Sequence, residues 1–244
     1  MILFLGATLP SCTHKKKDPT AEEVYNNAME YFMEGSYDFA GEQFEKIEDD
    51  FPFSEYATKS QVMSAYAYYK AKSYIDSLRI AEYYIQMYPN DESIEYMYYL
   101  RMMNYYSRVK SYKKSFEIAR TTKLTLKELI LKFPKSKYVD DVKIKLEEIN
   151  NHLAASEMYV GRFYLNKKNY IGALDKFKLV VSESDYSRFH PEAYHRMVEV
   201  YTIIGLENEA KKSYDILKDK YQNTKWFKYS SKIIDRGTIN LNND

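Results

Sequence analysis

Glycine and proline are scarce in this sequence of 244 residues, which contains seven of the first and six of the second. Turn-rich β folds use both residues heavily, so this scarcity disfavours a β sandwich or barrel. The chain also lacks an excess of either charge, with 36 basic and 35 acidic side chains. Because there is no basic surplus, we do not expect nucleic acid as a partner.

Long apolar runs are absent as well. No stretch approaches the roughly 18 consecutive apolar residues that a membrane-spanning helix requires. The one near-continuous apolar run, residues 2–9, is too short to span a membrane but suits the apolar part of a secretory signal. The single cysteine of the chain, Cys12, follows this run. A chain with no second thiol avoids accidental disulfides, which suits an oxidising compartment.

The residues before Cys12 resemble the bacterial lipobox, because Leu9 lies three positions earlier and the small Ser11 directly precedes the cysteine. Pro10 is unusual in that box. No Lys or Arg precedes the apolar run, although a signal peptide ordinarily begins with positive charge. This second departure disappears if translation starts further upstream. We predict a signal peptide over residues 1–11 and lipid attached to Cys12, and the alternative is an ordinary cysteine near a chain terminus.

Residues 12–20 are predicted to form a polar, lipidated tether. More than one acyl chain on the cysteine would make membrane attachment durable. The lysines at 15–17 would lie beside anionic headgroups, or would simply keep the tether soluble. Thr13 stands where an aspartate commonly retains such lipoproteins at the inner membrane. The predicted location is therefore the outer membrane, with the protein anchored by lipid and facing the periplasm.

From residue 21 the sequence repeats with helical periodicity. The tetratricopeptide (TPR) pattern asks for a small residue, an aromatic residue three later, a turn, then alanine, an aromatic residue and proline. Residues 28–52 supply all of these, at Ala28, Tyr31, Gly35, Tyr37, Ala40, Phe44 and Pro52. Four further copies follow, at residues 65–89, 91–134 (stretched), 161–177 and 198–214. We predict an all-α, TPR-like α-solenoid of about five helix-turn-helix repeats, because single repeats cannot bury their apolar faces alone.

No pattern of catalytic or metal-binding residues occurs in the sequence. The four histidines form no HExxH motif, the glycines form no phosphate loop, and no serine lies in a GxSxG elbow. The adjacent acids at residues 48–50 and 147–148 diverge on a helix, so they are interpreted as solvated faces. The sequence predicts a protein that is not an enzyme and that uses no cofactor and no metal.

The lipobox followed by TPR-like repeats resembles the BamD family of outer-membrane lipoproteins, and the likeness covers nearly the whole chain. Three segments carry it: "FPFSEYATKSQVMSAYAYYKAKSY" at residues 51–74, "AEYYIQMYPND" at 81–91 and "SIEYMYYLRMMNY" at 93–105. The resemblance implies a lipoprotein subunit of the β-barrel assembly (BAM) complex. Such a subunit binds the POTRA domains of BamA and recognises client β-barrel proteins for folding and insertion. Other Bam lipoproteins are partners in some lineages, which the sequence leaves open.

The resemblance also divides the chain by role. The first three repeats, residues 21–134, are implied to form a client groove, and repeats four and five, residues 135–236, to dock on BamA. Residues 237–244 are predicted to be a flexible tail. The implied groove residues are Tyr25, Met29, Phe32, Phe51, Phe53, Tyr56, Val62, Tyr66 and Tyr69. For each of them, core packing or helix stacking is the alternative.

Two departures from the family concern these contacts. The family usually has Tyr and Gly where this chain has Phe51 and Ser54, which changes the hydrogen bonding of the groove. Lys176 stands in place of the family's arginine at the BamA contact, and it keeps the charge but loses the planar fork.

Two other hypotheses remain open at the level of sequence. Another TPR lipoprotein of the envelope would scaffold peptidoglycan enzymes or Tol-system proteins, and a hydrolase would use an unrecognised site. The match along the whole chain, including the stretched third repeat, favours the assembly role over the first of these. An assay would be needed to support the second.

Overall fold

The computed structural model describes residues 18–111, 116–183 and 187–241, and these residues form helices and turns without a strand. The helices are α1 (Ala21–Met33), α2 (Tyr37–Asp50), α3 (Glu55–Ala71), α4 (Tyr74–Met87), α5 (Ile94–Ser111), α6 (Phe116–Lys132), α7 (Val139–Asn166), α8 (Tyr170–Ser182), α9 (His190–Ile203), α10 (Glu207–Lys220) and α11 (Lys225–Leu241). The predicted all-α, TPR-like fold is confirmed. The predicted signal peptide and Cys12 lie outside the described residues.

Recurring turn geometry accounts for where several helices end. Gly35 and Gly205 adopt φ of +87° and +77°, and Lys72 and Lys168 adopt φ of +66° and +58°. After each of these residues, the next amide donates to a carbonyl of the last helical turn at 2.8 to 3.0 Å. This is the left-handed helix ending that glycine accommodates without strain and that other residues adopt at a cost. The repeat pattern therefore fixes a backbone conformation even where lysine replaces glycine.

The chain divides into two compact units, Met1–Ser73 and Tyr74–Asp244. In the described part of the first unit, α1, α2 and α3 enclose a core of small and aromatic side chains: Ala28, Ala40, Phe44, Ile47 and Ala67. Gly41 allows α2 and α3 to approach, because a Cβ there would lie 3.0 Å from the Tyr68 ring. The Ser64 hydroxyl donates to the Gly41 carbonyl at 2.9 Å, which joins the two helices at this point.

The second unit contains α4 to α11 and is organised around α7, which is 28 residues long. The first half of α7 packs with α5 and α6 through Val142 and Ile149. Its second half packs with α8 and α9 through Ala154 and Met158. At Gly161 a Cβ would lie 2.5 Å from the Phe177 ring, so a larger residue has no room there. The predicted small-residue position of the fourth repeat is thus a close helix crossing.

One helix, α11, follows the predicted repeats and was not expected from the sequence. It packs on α9, and its Ser230 is fully buried. It runs to Leu241, so helical backbone enters the segment 237–244 predicted to be a tail. The boundary between the compact units also differs from the predicted functional boundary at residue 134. The latter concerns partner binding and stays a prediction.

Candidate functional site

Six of the predicted groove residues lie in two strips, with three residues on each of two helices. On α1 and on α3 they are spaced i, i+4 and i+7, which places each set of three on a single helical face. All six are half-buried, and we call them the aromatic face: Tyr25, Met29 and Phe32 on α1, with Val62, Tyr66 and Tyr69 on α3.

Aromatic contacts bring the two strips together. The ring centroids of Tyr25 and Tyr56 are 5.2 Å apart, and those of Phe32 and Tyr66 are 5.6 Å apart. The first pair joins the beginnings of α1 and α3, and the second lies near their ends. The two helices therefore run side by side in the same direction, and the contact between Phe32 and Tyr66 joins the two strips.

The aromatic face is supported from beneath by the core. The Tyr25 ring lies 5.4 Å from the buried ring of Phe44, and Met29 and Phe32 pack against the same cluster. Each of these side chains thus has one side in the core and another at the surface. Core packing and ligand contact are compatible for them, since rigid, partly buried aromatics are typical of binding hot spots.

The turn between α2 and α3 places the remaining predicted groove residues differently. Phe51 packs against the core cluster, and its amide donates to the Ile47 carbonyl at 2.9 Å. Phe53 is fully exposed. The Ser54 hydroxyl accepts from the Tyr56 amide at 3.1 Å and so caps α3. Phe51 and Tyr56 are therefore both half-buried against the core cluster, whereas Phe53 lies at the surface.

Charged groups surround Tyr56 at the start of α3. Burial and then the Glu22 and Glu55 carboxylates raise the pKa of Tyr56, while Lys59 opposes them. The Lys59 ammonium lies 5.4 Å from the centre of the Tyr56 ring and 3.3 Å from Glu55 Oε2. Burial also raises the pKa of Tyr25. Both phenols stay protonated at neutral pH, so each can donate as well as accept a hydrogen bond.

Lys176, the predicted BamA contact, is engaged within the chain. Its Nζ lies 3.0 Å from Glu157 Oε2, and the two side chains are 30% and 11% exposed. The pair joins α8 to α7. Nothing in the sequence singled out Glu157, because an ion pair between helices follows from tertiary packing and not from local spacing.

The end of α8 nearby is held by two further cations. Arg120 pairs with the Glu183 carboxylate at 2.6 Å, and the Lys123 ammonium donates to the Glu183 carbonyl. Cations at a helix carboxyl end stabilise it, because they offset the negative end of the helix dipole. Lys123, Asn150 and Glu157 also line a small cavity between these helices. The contacts of Arg120 and Lys123 with Glu183 therefore stabilise the end of α8.

The two histidines of α9 are core residues. His195 lies 2.9 Å from the Ser230 hydroxyl, and burial lowers its pKa to about 4. His190 lies 3.4 Å from the Tyr221 hydroxyl, and burial lowers its pKa as well. Across the described ranges, no three His, Cys, Asp or Glu side chains are grouped to hold a metal ion. Within the same ranges, no helix combines the length and apolar character needed to cross a membrane.

Comparison with known proteins places the chain in a family. Residues 17–216 match the family YfiO, described as an outer membrane lipoprotein. The outer membrane protein assembly factor BamD of Rickettsia prowazekii is 32% identical over 238 residues, which cover 96% of this chain and 94% of that protein. BamD of Caulobacter vibrioides is 27% identical over 232 residues, covering 92% and 76% of the two chains. The BamD of Neisseria gonorrhoeae is 26% identical over 212 residues, which are 79% of each chain. The chain therefore belongs to the BamD family of outer membrane protein assembly factors.

Proposed function

We propose that this chain is a lipid-anchored subunit of the outer-membrane β-barrel assembly machinery. Its amino-terminal unit recognises client barrel proteins, and its carboxy-terminal repeats bind the POTRA domains of BamA. The observation that carries this proposal is the aromatic face of α1 and α3, in a chain that is related to BamD factors along most of its length. The role requires no bond to be made or broken, and its mechanism is differential binding.

The aromatic face suits an extended segment that presents aromatic side chains. Tyr25, Phe32 and Tyr66 are held by ring contacts of 5.2 to 5.6 Å, so little side-chain entropy remains to be lost on binding. Flat rings accept other rings edge-on or offset, and the phenol groups add hydrogen bonds to a client backbone. A client strand would therefore gain apolar contact and hydrogen bonds at one preformed surface.

The proposed BamA contact uses Lys176 together with Glu157. The ammonium has three N–H donors, and its contact with Glu157 is an ion pair at 3.0 Å. A carboxylate of BamA could accept from the same ammonium without displacing Glu157. Glu157 would then hold the lysine in position, which partly replaces the rigidity that an arginine fork would supply.

The proposed anchor is Cys12, and residues 13–20 form the tether to α1. Attachment of lipid at this position would hold the amino-terminal unit at the periplasmic surface of the outer membrane. Client segments arriving there would meet the aromatic face close to the membrane into which they insert.

The test is binding of a synthetic peptide with the carboxy-terminal, aromatic-rich sequence of a barrel client. Tyr66→Ala and Tyr69→Ala should each weaken the peptide affinity at least tenfold, or about 1.4 kcal/mol, because truncation of a hot-spot aromatic typically has this effect. Tyr159→Ala is the matched control, since Tyr159 is a 74% exposed tyrosine of α7. It should leave the affinity unchanged. Unchanged affinity in the Tyr66 and Tyr69 variants, with wild-type helicity, would contradict the assignment.

A further inference from the structure

A small cavity lies where α6, α7 and α8 meet, within the second unit. Its polar wall comes from one side chain of α6, two of α7 and the residue that ends α8: Lys123, Asn150, Glu157 and Glu183. Its apolar wall includes Leu153 and Leu179. The cavity is partly open to solvent and has room for about one water-sized group. A ligand at this place is therefore a single small molecule or the end of a side chain.

Two acceptor oxygens of the cavity wall are buried without a hydrogen bond. Asn150 is 7% exposed, and among the described residues its Oδ1 has no hydrogen-bond donor. Glu157 is 9% exposed, and within the same ranges its Oε2 has the ion pair with Lys176 but no hydrogen bond. Folded proteins pair nearly all buried polar atoms, because an unpaired one costs the free energy of its lost hydration. These oxygens therefore indicate a donor from outside the chain.

The position of these two residues on α7 is not explained by packing. Asn150 and Glu157 are seven positions apart, so they lie on one helical face. Between them, Leu153 belongs to the core that α7 shares with α5 and α6, and Ala154 to the core that it shares with α8 and α9. Apolar side chains of similar volume would fill this junction and leave no oxygen unpaired. A ligand that uses the two oxygens explains why the junction is polar.

The charges around the cavity favour a neutral ligand. Glu157 is already paired with Lys176 at 3.0 Å, and Glu183 with Arg120 at 2.6 Å. The Lys123 ammonium donates to the Glu183 carbonyl. A charged ligand would compete with one of these pairs, and removing one partner of a largely buried pair is costly. A neutral ligand disturbs none of them.

The groups in the wall also define the hydrogen bonds that a ligand needs. Asn150 Oδ1 and Glu157 Oε2 are acceptors, so the ligand must supply a donor. The Lys123 ammonium has three N–H donors, so it can also donate to a ligand oxygen. A hydroxyl group and water each combine an O–H donor with an acceptor oxygen, whereas an ammonium lacks the acceptor and a carboxylate lacks the donor. The wall is therefore complementary to an O–H group.

We infer that this cavity binds one neutral O–H group, which donates to Asn150 or Glu157 and accepts from Lys123. Two sources supply this chemistry: a resident water molecule, or the hydroxyl end of a side chain of the partner that docks at Lys176. The second source rests on the proposed BamA contact, and the first does not. With either source the group joins α6 to Glu157, the residue that borders the cavity and holds Lys176 in its ion pair.

Two structures of the parent chain distinguish the sources. The first is a high-resolution crystal structure of the full chain alone. If the source is resident water, it should show density for one water-sized group within hydrogen-bond distance of Asn150 Oδ1 or Glu157 Oε2. The second is a cryo-electron microscopy structure of the full chain with detergent-solubilised BamA. If the source is the partner, a BamA serine, threonine or tyrosine hydroxyl should occupy this position.

The variant Asn150→Leu removes one acceptor and replaces it with an apolar group. If a BamA hydroxyl enters the cavity, the affinity for BamA should fall about tenfold, because a buried donor then lacks its acceptor. If the group is resident water, the variant should lose the density and keep its affinity for BamA. Ser156→Leu is the control, since Ser156 is exposed on the same helix. It should keep both the density and the affinity, and circular dichroism and thermal melts verify folding of both variants.

Three results would overturn the inference: a cavity that holds no group in either structure, a metal ion or charged side chain bound there, or unchanged density and affinity in Asn150→Leu. The two parent structures need no variant, so they decide the question even if Asn150→Leu fails to fold. A chain that does not bind BamA would overturn the proposed docking. The crystal structure of the chain alone would then decide the inference through resident water.

Discussion

The two compact units of the chain differ in where their ion pairs lie. In the first unit, α1 and α3 meet through aromatic pairs, and the ion pair between Lys59 and Glu55 is exposed. In the second unit, ion pairs with a largely buried partner connect neighbouring helices, such as Lys176 to Glu157. Arg162 likewise pairs with Glu192 at 3.1 Å, where the glutamate is 10% exposed.

This contrast supports the proposal that the first unit is the surface that recognises clients. A ligand that covers the aromatic face gains apolar and ring contacts and breaks none of the ion pairs described above. A ligand that binds at Lys176 must share the ammonium with Glu157 or replace that ion pair, which joins α8 to α7. Breaking such a pair is expensive, because it leaves one charge buried without its partner. The following predictions test the contrast, from the largest expected effect to the smallest.

Acidification should destabilise the second unit and spare the first. The pKa of buried His195 is about 4 when folded, against 6.5 when exposed, so the unfolded chain binds the proton more tightly. The contribution of neutral His195 to the free energy of unfolding is therefore fully present above pH 6.5. It is lost as the pH decreases to 4, and the total loss is about 3 kcal/mol. The asparagine of His195→Asn has no titratable group in this range. Denaturant unfolding as a function of pH should therefore show a smaller loss of unfolding free energy for this variant than for the parent. Residues 18–73 contain no histidine, which confines this effect to the second unit. Equal pH slopes for the parent and the variant would contradict the prediction.

Removal of Lys176 should destabilise the chain by about 2 kcal/mol, because Glu157 then remains mostly buried and unpaired. The loss is below that of a fully buried pair, since Lys176 is partly exposed. The double variant K176M/E157L removes both charges and should regain most of the stability in denaturant unfolding. Lys59→Met is the control in the first unit and should change stability by less than about 1 kcal/mol. A double variant that is no more stable than Lys176→Met would show that the buried charge is not the cause.

The smallest expected effect is a gain in stability from glycine substitutions at the left-handed helix endings. Lys72 in the first unit and Lys168 in the second have positive φ. Glycine removes the Cβ clash but adds entropy to the unfolded chain, so Lys72→Gly and Lys168→Gly should each stabilise by up to about 1 kcal/mol. Lys70→Gly, in the last turn of α3 where φ is not positive, should destabilise by a similar amount. Thermal melts would compare them, and a lower melting temperature for both turn variants would be contrary to this expectation.

The sequence predicted those features in which the residue type is dictated by local geometry. Gly35 has φ of +87°, and Ala40 and Phe44 are fully buried, so the repeat pattern marked a turn and a core correctly. The residues of the aromatic face were implied by the family resemblance, and their spacing of i, i+4 and i+7 places each set of three on one helical face. The length of α7 and the presence of α11 were not visible, because packing between elements and not a repeat motif determines them.

Two features needed the fold. Glu157 lies 19 positions before Lys176 on another helix, and no local pattern links them. The acids at 48–50 were interpreted as a solvated face, and the structure shows Asp49 and Asp50 exposed in the last turn of α2. At this position their negative charges oppose the helix dipole, because the carboxyl end of a helix carries partial negative charge. The effect of a charge on helix stability depends on how close it lies to a helix end. Sequence spacing leaves that end uncertain by a few residues.

The most direct test of the central claim is a pull-down of the tagged full chain from detergent-solubilised membranes, with partners identified by mass spectrometry. We expect a β-barrel protein with POTRA domains in an amount close to that of the bait. Recovery of peptidoglycan enzymes or Tol-system proteins, without such a barrel protein, would contradict the assembly role.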